Sequence, residues 1–279
     1  MITVKSPKDL KKIVENLERI ALVPTMGNLH KGHIELIKEA QKFSKNIVVS
    51  IFVNPIQFDS QKDLKNYPRS FVNDKKILKS LKVNYLFAPN AQDIYPSHPK
   101  LNYKLPEISN ELCGASRPGH FLGVITVIEK LLNLSKPHYL VLGKKDYQQL
   151  YLIKKFISDL SYPITTIEVE TVREKNQLAR SSRNNLLKPE LKEKSLELYY
   201  AVSKLAQSVK TLQMKTEFER QTMLYLLDSG WKVDYLEIRR QLDLKKPVPG
   251  DTDLVALGAA KLGEVRLIDN IEFCIESSN

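Results

Sequence analysis

Cysteine is scarce in this chain: 279 residues contain two, Cys113 and Cys274. Two cysteines so far apart give neither a disulfide framework nor a metal-ligand spacing, and they suit a reducing, cytoplasmic setting. Long apolar runs are missing as well. The longest, around "NIVVSIFVNPI", falls short of the ~20 residues that a bilayer-spanning helix needs. The opening "MITVKSPKDLKKIVENL" lacks the continuous apolar segment of a secretory signal. No fixed-period repeat and no low-complexity tract interrupts the chain. There is no Gly-x-Ser-x-Gly, and Cys113 has no visible histidine partner, so no side chain stands out as a covalent nucleophile.

Acid is in deficit. Lys and Arg together number 43 against 32 Asp and Glu, a formal charge of +11. A nucleic-acid face would gather that charge into basic runs with interleaved aromatics. Here the lysines are scattered, which reads as a solvated surface that would also suit anionic small-molecule substrates.

What is present is a rhythm of short apolar runs and helical patterns. Strands are expected at Ile20–Pro24, Ile47–Asn54, Tyr85–Ala88, Tyr139–Gly143 and Thr165–Val169. Ile34, Ile37, Ala40 and Phe43 fall at helical spacing between them, as do Ile77, Leu78 and Leu81. Further helices are expected over Val124–Leu134 and after Asp146. This alternation predicts an α/β fold, a Rossmann-like parallel sheet with helices on both faces. The character changes after Val172. Helical patterns over Glu190–Lys210 and Glu217–Leu227 precede two strand-like segments, "KVDYLEIR" and "GEVRLIDNIEF". A division follows: 1–171 as a larger α/β domain and 172–279 as a smaller α+β domain, with a cleft between domains as a favoured ligand position. The proline-rich stretch Ala88–Gly119 is long and aperiodic, and would fit a cover over a site or an interface segment.

Chemistry concentrates at four places. In "PTMGNLHKGH", His30 and His33 stand three apart at a helix start, so their imidazoles share a face. Helix N–H groups and the positive end of the dipole lie there, and Gly27 and Gly32 let a ligand approach the backbone. The combination suits polyphosphate. In "FVNPIQF", Gln57 beside Asn54 and Pro55 could hold a hydroxyl or carboxylate, or it could cap its loop. In "GKKDYQQL", Lys145 offers a charge for phosphate and Asp146 a helix cap or a ribose contact; a capped surface helix would read the same way. In "ARSSRNN", Ser181, Ser182 and Arg183 could grip phosphate oxygens, or form a solvated turn.

Taken together and in this order, these stretches resemble the pantoate–β-alanine ligase family, within the nucleotidyltransferase superfamily that shares the His-x-Gly-His signature. "YPRS", "RPGHFLGVITVIEKLLNLSKP", "TVREKNQLARSSRN", "VDYLEIR" and "RLIDN" extend the resemblance along nearly the whole chain. It implies ATP-dependent activation of pantoate as an acyl adenylate, with pyrophosphate released, then attack by β-alanine to give pantothenate and AMP. Mg²⁺ with ATP, a homodimer and a cytoplasmic place in coenzyme A biosynthesis are implied too.

Carried over by position, Met26, Gly27, Asn28, Leu29, His30, Lys31, Gly32 and His33 would contact ATP, with His33 as proton donor. His30 and Lys145 would complete the catalytic set. Gly143, Lys144, Lys145, Asp146, Val172, Arg180, Ser181, Ser182 and Arg183 would finish the nucleotide pocket. Gln57 and Gln149 would hold pantoate, with Gln57 also near β-alanine. The chain departs from the family pattern in having Lys144 for a glutamate, Gln177 for a glycine, Arg180 for a Met or Leu, and Cys113 for a glutamate. No metal ligand is assigned. A different nucleotidyl transfer and a basic RNA-binding role are the rival readings. The chemistry asked of the site is to bring a carboxylate against a triphosphate, by positioning and by neutralising charge.

Overall fold

The computed structural model describes residues 1–97 and 99–276. Its elements run β1 (Ile2–Val4), α1 (Pro7–Val14), β2 (Ile20–Thr25), α2 (Lys31–Phe43), β3 (Asn46–Ile51), α3 (Gln61–Asn66), α4 (Phe71–Ser80), β4 (Tyr85–Phe87), α5 (Ala91–Ile94), α6 (Cys113–Ser116) and α7 (His120–Ser135). They continue with β5 (Tyr139–Gly143), α8 (Tyr147–Asp159), β6 (Thr165–Val169), α9 (Glu197–Ser208), α10 (Leu212–Asp228), β7 (Lys232–Arg240), β8 (Asp253–Leu262) and β9 (Val265–Cys274). Two compact units result. One comprises Met1–Pro106, Arg117–Lys144 and Gln149–Val172; the other comprises Glu107–Ser116, Lys145–Gln148 and the chain from Arg173 onward.

In the first unit six strands pair in the order β1-β4-β3-β2-β5-β6, all parallel. The apolar runs explain this. Ala21, Leu22, Val23, Val48 and Val49 are fully or almost fully buried, as central parallel strands covered on both faces must be. Helix α2 presents Ile37 and Ala40 to this core. Helix α7 is buried on most of its circumference, the mark of an internal rather than a surface helix. It starts from Gly119 at φ 81, a left-handed turn that glycine adopts without a Cβ clash.

In the second unit β7, β8 and β9 form an antiparallel sheet with β8 in the middle. Leu198, Val202 and Leu205 of α9 share a core with Leu236, Ile238, Ala256 and Leu267 of the sheet. The packing is close: a Cβ on Gly258 would lie 2.7 Å from the Val202 side chain.

The five strands expected before Val172 are all present, with ends shifted by a few residues. Three expectations change. Strand β1 and helix α1 precede the first expected strand. The Glu190–Lys210 pattern becomes helical only from Glu197, because Pro189 opens a series of short 3₁₀ turns. The C-terminal sheet has three strands rather than two. The missed one, β8, is rich in Ala and Gly, which carry little strand preference.

One contact tests this packing. A Cβ on Gly123 of α7 would fall 2.4 Å from the Ile56 carbonyl oxygen and 2.8 Å from the Gln57 Cα. Alanine gains up to ~1 kcal/mol of helix preference over glycine, yet backbone cannot yield as a side-chain end can. Gly123→Ala is expected to lower stability by about 1–3 kcal/mol, measured as a lower denaturation midpoint at unchanged m-value. An unchanged midpoint would contradict the close approach of α7 to the 55–57 turn.

Candidate active site

The strand order places the site. From β2 the chain steps to β3 and β4 on one side, then returns to β5 and β6 on the other. The order therefore reverses between β2 and β5, and in open parallel sheets ligands bind beyond the strand ends at such a point. Three loops of the first unit issue from adjacent strand ends there: Met26–His30 after β2, Pro55–Gln57 after β3, and Gly143–Lys144 after β5.

The loop after β2 is tightly tied. The Thr25 hydroxyl donates to the Ser50 carbonyl at 2.7 Å and accepts from the Gly27 N–H at 3.2 Å. Gly27 has φ 80 and Asn28 φ 51, consecutive left-handed residues that turn the chain into α2. A Cβ on Gly27 would meet Ile51 at 3.0 Å and the Asp74 carboxylate at 3.1 Å, so glycine is required twice over. Asp74, on α4 and 1% exposed, is the brace. Its carboxylate accepts from the N–H of Asn28 at 3.0 Å, the N–H of Leu29 at 2.9 Å and the Ser70 hydroxyl at 2.9 Å. A buried charge is tolerable because both oxygens are engaged.

Helix α2 then begins on the two histidines. His30 is the N-cap, and its Nδ1 accepts from the Gly32 N–H at 3.1 Å. His33 is the third helical residue, and its Nδ1 accepts from the His30 N–H at 3.3 Å. This is a capping box built from imidazoles in place of the usual hydroxyl and carboxamide. The rings lie with centroids 4.0 Å apart at 34°. Because each Nδ1 is an acceptor, each neutral ring carries its proton on Nε2. Capping and tautomer are thus one fact: the hydrogen bonds that start the helix also set the proton of each neutral ring on Nε2.

Gln57 ends a 3₁₀ turn, and its orientation follows from its neighbours. The buried Asn54 donates through Nδ2 to the Gly123 carbonyl at 3.0 Å and to Gln57 Oε1 at 2.9 Å, while its Oδ1 accepts from the Tyr95 hydroxyl at 2.9 Å. Burial pushes the Tyr95 pKa well above its ordinary value, which keeps that hydroxyl a donor. A carbonyl can only accept, so the Asn54 amide has one orientation, and it sets Gln57 with Oε1 turned toward Asn54. The Gln57 carbonyl accepts from His120 Nδ1 at 2.8 Å; His120 Nε2 faces Arg117, which can only donate, at 3.0 Å.

At the end of β5, Gly143 lies near Leu36 of α2, and Lys144 pairs with Glu170 at 2.6 Å. Gln149, in the first turn of α8, is half-buried. Its neighbour Gln148 plays a different part. Gln148 is 4% exposed, donates to the carbonyls of Ile108 and Glu111 and accepts from the Cys113 N–H, closing the 107–113 turns. Cys113 itself meets the Tyr235 hydroxyl at 3.0 Å and Arg266 at 3.5 Å through its buried sulfur.

The second unit holds the remaining expected residues. Lys145 pairs with Asp146 at 3.6 Å. Residues 173–179 form a hairpin closed by an Arg173–Ala179 bridge, with Gln177 at φ 77, a conformation that glycine would adopt without strain. Val172 immediately precedes it. Arg180 pairs with Glu174 at 3.3 Å. The Ser181 hydroxyl accepts from the Arg183 N–H at 3.2 Å and so caps the following turn, which carries the buried Ser182.

The first unit therefore gathers Met26–His33, Gln57, Gly143 and Lys144 at one set of strand ends, and the second unit carries Lys145, Asp146 and Arg180–Arg183. Sequence reading missed the supports: Asp74, Asn54 in its fixed orientation, Tyr95 and the Arg117–His120 pair. Asp74 acts on Asn28 from 46 residues away, and nothing local signals it. Among the described residues no group of three His, Cys, Asp or Glu could hold a metal ion, and no helix is long and apolar enough to cross a membrane.

Residues 2–272 match the family model for pantoate-beta-alanine ligase. The pantothenate synthetase of Methylobacillus flagellatus is 44% identical over 259 residues, covering 92% of each chain. That of Shewanella woodyi is 43% identical over 282 residues, covering 98% of this chain and 99% of the other. Among solved structures, pantothenate synthetase from Thermus thermophilus superposes with a TM-score of 0.89 at 35% identity, over 97% of this chain and 99% of that one. The pantoate-beta-alanine ligase of Francisella tularensis, solved with a β,γ ATP compound and β-alanine, gives 0.77 at 36% identity over 97% of both chains.

The Asp74 brace yields a direct test. Asp74→Asn keeps the shape but offers one acceptor oxygen to two backbone donors, and a lost hydrogen bond to a charged group costs about 1.5–3 kcal/mol. Amide exchange at Asn28 and Leu29 is expected to accelerate, with global stability lower by about that amount. Unchanged protection at both amides would contradict the brace.

Proposed function

This chain belongs to the pantoate–β-alanine ligase family, and from that premise we propose that it condenses (R)-pantoate with β-alanine, at the cost of ATP, through a pantoyl adenylate. The observation that carries the reading is the pair of imidazoles capping α2 through Nδ1 at the reversal point of the sheet.

A carboxylate is a poor acyl donor because its leaving group would be oxide. In the first step a pantoate carboxylate oxygen bonds to the α-phosphorus of ATP while the bond from that phosphorus to the bridging oxygen breaks, and pyrophosphate departs. In the second, the amine of β-alanine bonds to the acyl carbon, AMP leaves, and the nitrogen sheds a proton. The obstacle in the first step is charge. The α2 N-terminus, Met26–His33 and the two Nε2–H groups offset it on one side, with His33 Nε2–H donating a hydrogen bond to the departing oxygen, which leaves as the pyrophosphate anion.

Lys145 and the Ser181–Arg183 turn supply further donors to phosphate oxygens, and Gly143, Lys144, Asp146, Val172 and Arg180 complete the nucleotide contacts. Gln57 and Gln149 hold pantoate, with Gln57 also near β-alanine. On this reading 1–171 is the nucleotide- and pantoate-binding domain and 172–279 the smaller domain.

Mg²⁺ enters with ATP. The ion typically keeps several waters and binds substrate phosphates rather than an all-protein cage. When bound, the ion would screen triphosphate charge. A homodimer and a cytoplasmic location complete the proposal.

Release of AMP and pyrophosphate from ATP is the test, with pantoate and β-alanine omitted in turn. Pyrophosphate is expected only with pantoate present, and sustained AMP release only with both; turnover independent of pantoate would overturn the reading. His33→Ala is expected to lose about 10²–10³ in rate and about 1 kcal/mol of stability through the lost cap. His33→Gln keeps a capping acceptor at that position and is expected to recover the stability but not the rate. Turnover at the parent rate in both variants would remove His33 from the mechanism.

A further inference from the structure

Strand β9 carries two adjacent buried polar residues that the proposed reaction does not use. Asp269 is 5% exposed and Asn270 7%. The Arg173 guanidinium donates to both Asp269 oxygens at 2.8 Å, lies over the Tyr199 ring at 4.7 Å, and reaches the Gln177 carbonyl across the hairpin at 3.0 Å. The Asn270 N–H donates to Asp269 Oδ1 at 2.8 Å, and Arg173 also donates to the Asn270 carbonyl at 3.3 Å. Asn270 in turn donates through Nδ2 to the main-chain oxygen of Lys145 at 2.9 Å.

We infer that Asn270 is a positioning residue for adenylate formation and acts through Lys145, with Asp269 and Arg173 holding the Asn270 main chain in place. The inference deepens the ligase reading and rests on Lys145 as a phosphate-binding group. A lysine is a point charge on a flexible stem, so where its ammonium can go depends on where its main chain starts. Lys145 lies in a short 3₁₀ turn after β5. A buried amide bonded to its carbonyl fixes that starting point with a rigid strand. The same strand position, through Asp269 and Arg173, fixes the hairpin that runs on into Ser181–Arg183. One corner of β9 thus sets two groups of phosphate donors in the second unit. An ordinary core polar pair would stabilise the fold and leave the reaction steps equally affected. A positioning residue touches one step and loses its effect when the group it positions is gone.

The experiment is a double-mutant cycle on the full-length protein, with Asn270→Ala, Lys145→Ala and the double variant, read by thermal melting and by separate half-reactions. Pyrophosphate release from ATP and pantoate is expected to fall about 10- to 100-fold in Asn270→Ala, the scale of a small misplacement. The reaction of supplied pantoyl adenylate with β-alanine should change less than about twofold. In the Lys145→Ala background, Asn270→Ala should change the residual rate less than about twofold, as expected for groups acting as a unit. Asn270→Asp sets a carboxylate against the Lys145 carbonyl, should give the same pattern, and serves if the alanine variant does not fold. Equal losses in both half-reactions, or the same fold-loss with and without Lys145, would overturn the inference while leaving the ligase reading standing. A parent protein that makes no pyrophosphate from ATP and pantoate would instead overturn the ligase reading itself.

Discussion

Two hydrogen bonds from backbone amides to imidazole Nδ1 atoms organise the start of helix α2, on which the proposed chemistry rests. They satisfy N–H groups that any helix leaves unpaired at its start, they set the two rings 4.0 Å apart, and they decide which nitrogen of each ring bears a proton. An aspartate cap would start the helix as well, but would present an acceptor rather than a second donor to an incoming phosphate. The His-x-Gly-His pattern is therefore a folding signal and, in the proposed reaction, a donor array as well. Any protonation that placed a hydrogen on Nδ1 would sacrifice the cap, so helix stability itself opposes the wrong tautomer.

The remaining site groups follow the same design, in which a half-exposed functional group is fixed by a buried polar neighbour with a single satisfiable arrangement. Asp74 holds the turn that delivers the histidines. Gly123, by lacking a side chain, admits the turn that carries Gln57, and its carbonyl fixes Asn54 and hence the glutamine amide. Asp74 and Asn54 are buried polar groups, and each is anchored in part on backbone atoms, which tolerate less adjustment than side chains. Positioning of this kind is what an acid activation carried out by charge and proximity requires.

Much of this was legible in the sequence and part was not, for reasons that particular residues make plain. The parallel sheet announced itself through short runs such as "IALVPT" and "NIVVSI" alternating with helical spacing, and the first motif through glycines and histidines at a strand-to-helix joint. Strand β8 escaped because alanine and glycine were chosen there for close packing against α9, which outweighs strand preference. The 190–196 stretch carried a helical pattern that Pro189 and local turn geometry overrode. The braces were invisible because each joins distant positions: Asp74 to Asn28, Asn54 to Gly123, Asn270 to Lys145. Of two adjacent glutamines, the sequence offered no means to see that Gln148 closes a turn while Gln149 stays half-buried at the head of α8.

The imidazole tautomers can be observed without reference to turnover. Long-range ¹H–¹⁵N correlation spectra of the ligand-free protein, with His30 and His33 assigned by single substitutions, distinguish a protonated from an unprotonated ring nitrogen. The account predicts that at neutral pH both rings carry hydrogen on Nε2 alone, with Nδ1 showing the signature of an unprotonated acceptor. Hydrogen on Nδ1 in either ring, or rapid exchange between the two forms, would contradict it.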